Sequence, residues 1–149
     1  MMKIKKILCP VDFSDPSLSG LAAAVDLARL FGAKIAVCHI LPILPLEPLD
    51  PNYSVQVPKW DVILHRDAKN RLAALVREKI PDGIKAVTLI GQGSAGKEIL
   101  NLALEKKADL VVIASHGHSG WHDLVLGSVA EKVVRHAPCP VFVVRETRR

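Results

Sequence analysis

The sequence predicts an α/β protein, a single five-stranded, doubly wound parallel sheet with helices on both faces. Three observations predict it. Apolar runs of strand length alternate with amphipathic segments along the whole chain. Those runs are nearly continuous rather than alternating apolar with polar, as strands covered on both faces must be. The composition is 50% hydrophobic but only 4% aromatic, so small and branched aliphatics supply the core. At 149 residues the chain is read as one domain, 1–149, large enough to bury a real core.

Strands are expected at "IKKILCPV" (4–11), "KIAVCHI" (34–40), "IKAVTLI" (84–90), "ADLVVIA" (108–114) and "PVFVVR" (140–145). Leu18, Leu21, Ala22, Val25 and Ala28 recur at helical spacing, with Ser14-Asp15-Pro16 as the start signal and Gly32 as the stop. Trp60, Ile63, Leu64, Leu72, Leu75 and Val76 mark a second helix, closed by Gly83 in "PDGIK". Ile99, Leu100 and Ala103 mark a third, and Val129, Val133 and Val134 a fourth. Residues 41–58, "LPILPLEPLDPNYSVQVP", carry prolines three apart, as a polyproline II turn would, and are read as a stiff connection rather than a peptide ligand.

The net charge of +5 does not by itself imply nucleic acid. The cations stand in small groups at the termini (Lys3, Lys5, Lys6; Arg145, Arg148, Arg149) and along helices, without interleaved aromatics, so no nucleic-acid partner is expected. Cys9, Cys38 and Cys139 lie in or beside apolar runs without C-x-x-C spacing, which fits a reducing, cytoplasmic setting. No apolar run reaches the ~18 residues a membrane span needs, so no membrane partner is expected either.

One stretch imitates a phosphate site. "GQGSAGKE" (91–98) satisfies both G-x-G-x-x-G and most of a P-loop. A P-loop needs Ser or Thr after the Lys to ligate Mg²⁺, and Glu98 stands there. The dinucleotide fingerprint needs an acid at the far tip of the next strand, whereas Asp109 opens that strand. The segment is therefore read as a strand-to-helix turn, with Ser94 as the cap of the third helix.

In open parallel sheets ligands bind beyond the carboxyl ends of the strands. Strand one delivers Pro10, Val11 and Asp12 there, strand two delivers His39 and Ile40, and strand four delivers Ala114, Ser115, His116 and Gly117. With Ser14 and Asp15 better placed as caps, Asp12 is left for a ligand. Gly117 and, after nine intervening residues, Gly127-Ser128 expose bare backbone, a hydroxyl and a helix N-terminus, a combination suited to an anion such as a polyphosphate.

"KKILCPVDFSDPS", "ADLVVIASHGHSG" and "LGSVAEKVVRHAPCPVFVV" are similar to segments of the universal stress protein family, and their order and spacing match over essentially the whole chain. The ATP-binding branch of that family carries G-x2-G-x9-G-[ST]. This chain reads Ala114-x2-Gly117-x9-Gly127-Ser128, with Ala in place of the first Gly. The resemblance implies strand order 3-2-1-4-5, with the switch point between strands one and four. It implies that Asp12 and the main chain of Ile40 hold adenine and ribose, that Ala114 lines the adenosine pocket, and that Gly117, Gly127, Ser128 and Val129 hold phosphates. Ala130 stands where relatives often have Thr or Ser. The implied ligand is ATP, with AMP or ADP as the forms also held, together with Mg²⁺ or Mn²⁺. The implied assembly is a homodimer through the last strand, Pro140 to Arg145, with a further regulatory protein partner.

Two other constellations compete. His116, His118 and His122 with Asp123 imitate a zinc site but lack an evident supporting shell, so His116 and His118 are read as contacts to phosphate or its divalent ion. A Ser-His-Asp hydrolase drawn from Ser14 or Ser115, His116 or His39, and Asp12 lacks the G-x-S-x-G elbow, and adjacent Ser115 and His116 are expected to point apart. No catalytic residue is assigned and at most slow ATP hydrolysis is expected. Three readings stand: a nucleotide-dependent switch, a dimeric partner-binding module of the same fold, and a weak nucleotide or ester hydrolase. Trp121 is either a lid or a packing residue.

Overall fold

The computed structural model describes residues 1–43, 57–117 and 125–146. Strands and helices alternate as β1 (Lys6–Pro10), α1 (Asp15–Phe31), β2 (Lys34–Leu41), α2 (Val57–Lys79), β3 (Ala86–Gln92), α3 (Ala95–Glu105), β4 (Leu110–Ala114), α4 (Ser128–His136) and β5 (Val141–Val144). All neighbouring strands are parallel, in the order β3-β2-β1-β4-β5. Each helix carries the chain back to start the next strand, which is what a parallel sheet requires.

Period-two alternation divides the strands between two cores. Ile7, Cys9, Ile35, Val37 and Val112 meet Leu21, Val25 and Leu72 from α1 and α2. Leu8, Cys38, Val111 and Ile113 meet Ile99, Ala103 and Val133 from α3 and α4 on the other face. α1 comes close to β4 because Gly20 has no side chain: a Cβ there would lie 3.3 Å from the Ala114 nitrogen.

The helix signals act in different ways. Ser14 caps α1 by accepting the Ser17 N–H at 3.3 Å, and Gly32 ends the helix in the left-handed region at φ 62°. Gly83 does not end α2. That helix stops at Lys79, because Pro81 cannot continue it, and Ile84 N–H closes a turn onto the Pro81 carbonyl instead. Ser94 holds the N-cap position of α3, but its side chain makes no cap hydrogen bond; its carbonyl accepts Glu98 N–H at 2.9 Å. Leu21, Val25, Ala28, Leu72, Leu75, Ile99, Ala103 and Val133 of the predicted stripes are buried, whereas Ala22, Ile63, Val129 and Val134 are exposed and the unexpected Ala24, Ala68 and Ala130 are buried instead. Residues 44–56 of the proline-rich stretch lie outside the described residues.

Asp109 is engaged at the amino edge of the sheet, where its Oδ2 accepts the N–H groups of Lys5 and Lys6, each at 2.9 Å. It is thereby remote from the carboxyl ends of the strands, as the rejection of the dinucleotide fingerprint requires. No helix among the described residues is long and apolar enough to cross a membrane.

Cys9 and Cys38 are fully enclosed on opposite faces of the sheet. Burial pushes the Cys9 thiol up to about 12 and raises that of Cys38, to which the nearby Cys9 adds. Cys139 is half-buried and also raised, by burial first and Asp109 second. A thiol-specific disulfide reagent at neutral to mildly alkaline pH is expected to modify Cys139 alone in the native protein, and all three cysteines after unfolding. Equal rates at Cys9 and Cys139 in native protein would contradict this packing.

Candidate functional site

Strands β1 and β4 pair only through Ile7↔Leu110 and Leu8↔Val111, whereas β1 stays paired with β2 out to Pro10↔Cys38 and β4 with β5 out to Ala114↔Val144. Successive residues of a strand turn their backbone groups to alternate neighbours. Val11 N–H donates to the Cys38 carbonyl on the β2 side, and the Lys6 carbonyl accepts Asp109 N–H on the β4 side. Even-numbered residues of β1 therefore face β4. The next one after Leu8 is Pro10, which has no N–H to continue the ladder. Beyond that point the two strands part and a cleft of about 280 Å³ opens between their ends.

Pro10, Ile40, Ile99 and Ile113 give this cleft an apolar wall, and Asp12, Gly117, Gly127 and Ser128 line its polar part. The Asp12 carboxylate is held by the start of α1. Its Oδ1 accepts the Ser14 N–H at 3.0 Å and the Ser14 hydroxyl, while its own N–H donates to Ser17 Oγ at 3.3 Å. Asp12 thus has local duties that were not expected of it, and the helix cap and the aspartate form one network. Gly117 packs directly against it: a Cβ there would come within 2.3 Å of Asp12 Oδ2.

The residue after Asp12 pays for this geometry with backbone strain. Phe13 is in the left-handed region at φ 64°. Its ring lies 4.8 Å from that of His39, and the Arg71 guanidinium stands 4.0 Å over its face, a cation–π contact. His39 Nδ1 is 2.8 Å from the Val11 carbonyl. A carbonyl only accepts, so Nδ1 carries the proton and Nε2 of the neutral ring is an acceptor.

On the far side, α4 begins at the cleft. Gly127 is its N-cap, with N–H to the Ser115 carbonyl at 2.8 Å, and a Cβ on Gly127 would lie 3.2 Å from that same oxygen. The first amides of α4 have no partner within the helix and leave a partial positive charge there. Glu131, in the first turn, is drawn along the helix to Arg135 at 2.9 Å.

Ten of the eleven predicted site residues line this cleft: Pro10, Val11, Asp12, Ile40, Ala114, His116, Gly117, Gly127, Ser128 and Val129. His118 lies outside the described residues, as do Trp121, His122 and Asp123 of the zinc reading. Among the described residues, no group of three or more His, Cys, Asp and Glu is placed to hold a metal. The Ala114 methyl points to α1, 3.7 Å from where a Gly20 Cβ would be, so replacing the motif glycine by alanine adds nothing to the α3–α4 face of the cleft.

Ser115 and His116 depart from expectation. Ser115 Oγ and His116 Nδ1 are 3.1 Å apart in a hydrogen bond. The strand has ended at Ala114 and Ser115 is in a bend, so alternation no longer separates them. Ser17, Cys38, Ala95 and Ile99 also line the cleft without having been expected. The signal for Ser17 was its position three residues after Ser14. Ala95 comes from the "GQGSAGKE" stretch, which contributes wall rather than a phosphate cradle.

Changing Gly117 to Ala is expected to displace Asp12 and lower stability by about 1–3 kcal/mol in urea unfolding, whereas Gly83→Ala, with nothing within 4 Å of the added Cβ, should stay within about 0.5 kcal/mol. Equal losses at both positions would contradict the close approach at Gly117.

Comparison with known proteins bears on this site. A sequence model described as the universal stress protein family matches residues 3–145. Universal stress protein YxiE of Bacillus subtilis is 36% identical over 145 residues, covering 94% of this chain and 98% of that protein. Universal stress protein MJ0531 of Methanocaldococcus jannaschii is 32% identical over 148 residues, covering 97% and 84%. Among solved structures, MJ0577 superposes with a TM-score of 0.82 at 26% identity over 100% of both chains. A universal stress protein from Archaeoglobus fulgidus in complex with dAMP (TM-score 0.61, 22% identity, 96% and 98% covered) and one in complex with cAMP (0.62, 24%, 97% and 99%) share the fold.

Proposed function

The chain belongs to the universal stress protein family, and on that premise we propose that it binds ATP with a divalent cation in the cleft between β1 and β4, as a nucleotide-dependent switch. The observation that carries this reading is the polarity of the cleft. A carboxylate, Asp12, lines it together with the N-terminus of α4 at Gly127 and Ser128. The carboxylate accepts from ribose hydroxyls and repels phosphate; the free amides of α4 attract phosphate. Pro10, Ile40 and Ile113 supply an apolar wall for the adenine. The dAMP and cAMP complexes of proteins with this fold are in keeping with such a ligand.

The cation fits this site only as a companion of the phosphates. Ser128 offers one hydroxyl oxygen, a hard donor suited to Mg²⁺ or Mn²⁺, and His116 lies beside it in the cleft lining. When bound, the ion neutralises phosphate charge; Gly117, Gly127 and Ser128 orient the chain of phosphates and Asp12 orients the sugar.

The Ser115–His116 hydrogen bond gives a second reading, weak hydrolysis, a specific observation in its favour. Against it, Ser115 is only 8% exposed, a poor setting for a nucleophile that must reach an ester or phosphate. Binding without turnover is therefore the reading preferred, and Ser115→Ala should leave any residual hydrolysis at saturating ATP unchanged.

We further propose a homodimer through β5 in the reducing cytoplasm, with a regulatory protein reading the nucleotide state. Among the described residues β5 pairs only with β4, and Phe142 on it is 47% exposed.

Titration calorimetry with ATP and Mg²⁺ should show one site per chain, lost in Gly127→Val, whose side chain would press on the Ser115 carbonyl. No heat with the wild type, or undiminished binding by a folded Gly127→Val, would refute the reading. Light scattering should give a dimer mass that falls to monomer in Phe142→Glu; a monomeric wild type at micromolar concentration would refute the β5 interface.

A further inference from the structure

The end of the sheet opposite the nucleotide cleft holds a second concavity. It measures about 710 Å³ and is lined by Lys5, Lys6, Arg29, Lys34 and Lys85, with no Asp or Glu in its wall. We propose that this basin is a binding site for a small polyanion carrying several phosphate-like groups, separate from the β1–β4 cleft and independent of it.

The backbone fixes the cations side by side. Lys34 N–H donates to the Lys5 carbonyl at 3.0 Å and Ile35 N–H to the Lys85 carbonyl at 2.9 Å, which locks the approaches to β1, β2 and β3 together. Adjacent strands are about 4.8 Å apart, so the three lysine backbones span roughly 10 Å. The register sets Lys6 opposite Lys34, and Ile35 opposite Ala86 sets Lys85 on its other side, so like charges repel across these strand starts and an entering anion relieves the repulsion.

The local acids offset only part of this charge. Asp26 pairs with Arg29 at 3.7 Å and Asp109 accepts the N–H groups of Lys5 and Lys6, but among the described residues neither forms an ion pair with a lysine of the basin. Lys6 Nζ donates to the Lys106 carbonyl at 3.4 Å. Lys5, Lys34 and Lys85 make no ion pair among the described residues.

Helix ends do not account for the lysines either. α1 and α2 finish near this edge with negative dipole ends, but each already carries cations in its own last turn, Arg29 in α1 and Arg77 and Lys79 in α2. The lysines at the strand starts are additional to those. Nucleic acid fits less well than a small anion, because the cations ring a concavity instead of the ridge a duplex backbone would follow, and no aromatic residue lines it to stack the bases of a single strand.

The test is calorimetry with sodium tripolyphosphate, a probe without a nucleoside, at about 50 mM salt where phosphate contacts are strong. Wild-type protein should bind it. The double change Lys34→Gln and Lys85→Gln should weaken binding tenfold or more, since two charge-assisted hydrogen bonds are lost. Lys34→Arg with Lys85→Arg should keep it, and Gly127→Val, which closes the other cleft, should leave it intact. Absence of binding, indifference to the Gln pair, or loss in Gly127→Val would each overturn the proposal. Binding of duplex DNA through the same two lysines without any tripolyphosphate binding would overturn it in favour of a nucleic-acid face.

Discussion

The cleft depends on where one backbone ladder stops. β1 and β4 are joined by their central register, Ile7↔Leu110 and Leu8↔Val111, and separate two residues before β1 ends. Pro10 stands at the position whose N–H would have served β4. Because the strands part there, the chain leaving β1 can turn through Asp12 and the strained Phe13 into α1, while the chain leaving β4 runs to Gly117. That divergence places the residues β1 and β4 deliver to the cleft, and β2, α3 and α4 complete its wall.

Two further constraints complete the geometry. The Asp12–Ser14–Ser17 network makes the cap of α1 and the orientation of the carboxylate one cooperative unit, so neither is altered alone. The missing side chains of Gly20, Gly117 and Gly127 let α1, the chain beyond β4 and the start of α4 close on one another. At the other end of the sheet the helices finish and the lysines that precede or open the strands gather. The two ends of this sheet thus differ electrically: the first amides of α4 stand with the Asp12 carboxylate at one, and ammonium groups gather at the other.

Much of this was legible in the sequence, for identifiable reasons. Strand positions followed from runs such as "ADLVVIA", because burial on both faces demands unbroken apolar residues, and the cap of α1 followed from Ser14-Asp15-Pro16. Rejection of "GQGSAGKE" followed from the place of Asp109 at the start of its strand, which the hydrogen bonds to Lys5 and Lys6 bear out. What escaped depended on tertiary placement. Gly83 reads like a helix stop, but Pro81 acts first. Of Val129, Val133 and Val134, which read as core, Val133 alone is buried, and Ala130 packs beside it. The Ser115–His116 bond forms in a bend that periodicity does not describe, and the Ala114 departure proved harmless to the α3–α4 face only once Gly20 was seen opposite its methyl. The basic basin joins lysines far apart in sequence, which only strand order brings together.

The central claim, that the divergence of β1 and β4 makes a nucleotide site, is tested most directly by backbone amide NMR shifts on adding ATP and Mg²⁺ to isotope-labelled protein. Shifts concentrated at Asp12, Ile40, Gly117 and Gly127 to Ala130 are predicted. Shifts centred on Gly91 to Lys97, or confined to the amino edge around Lys34 and Lys85, would contradict the account, as would a spectrum that ATP leaves unchanged.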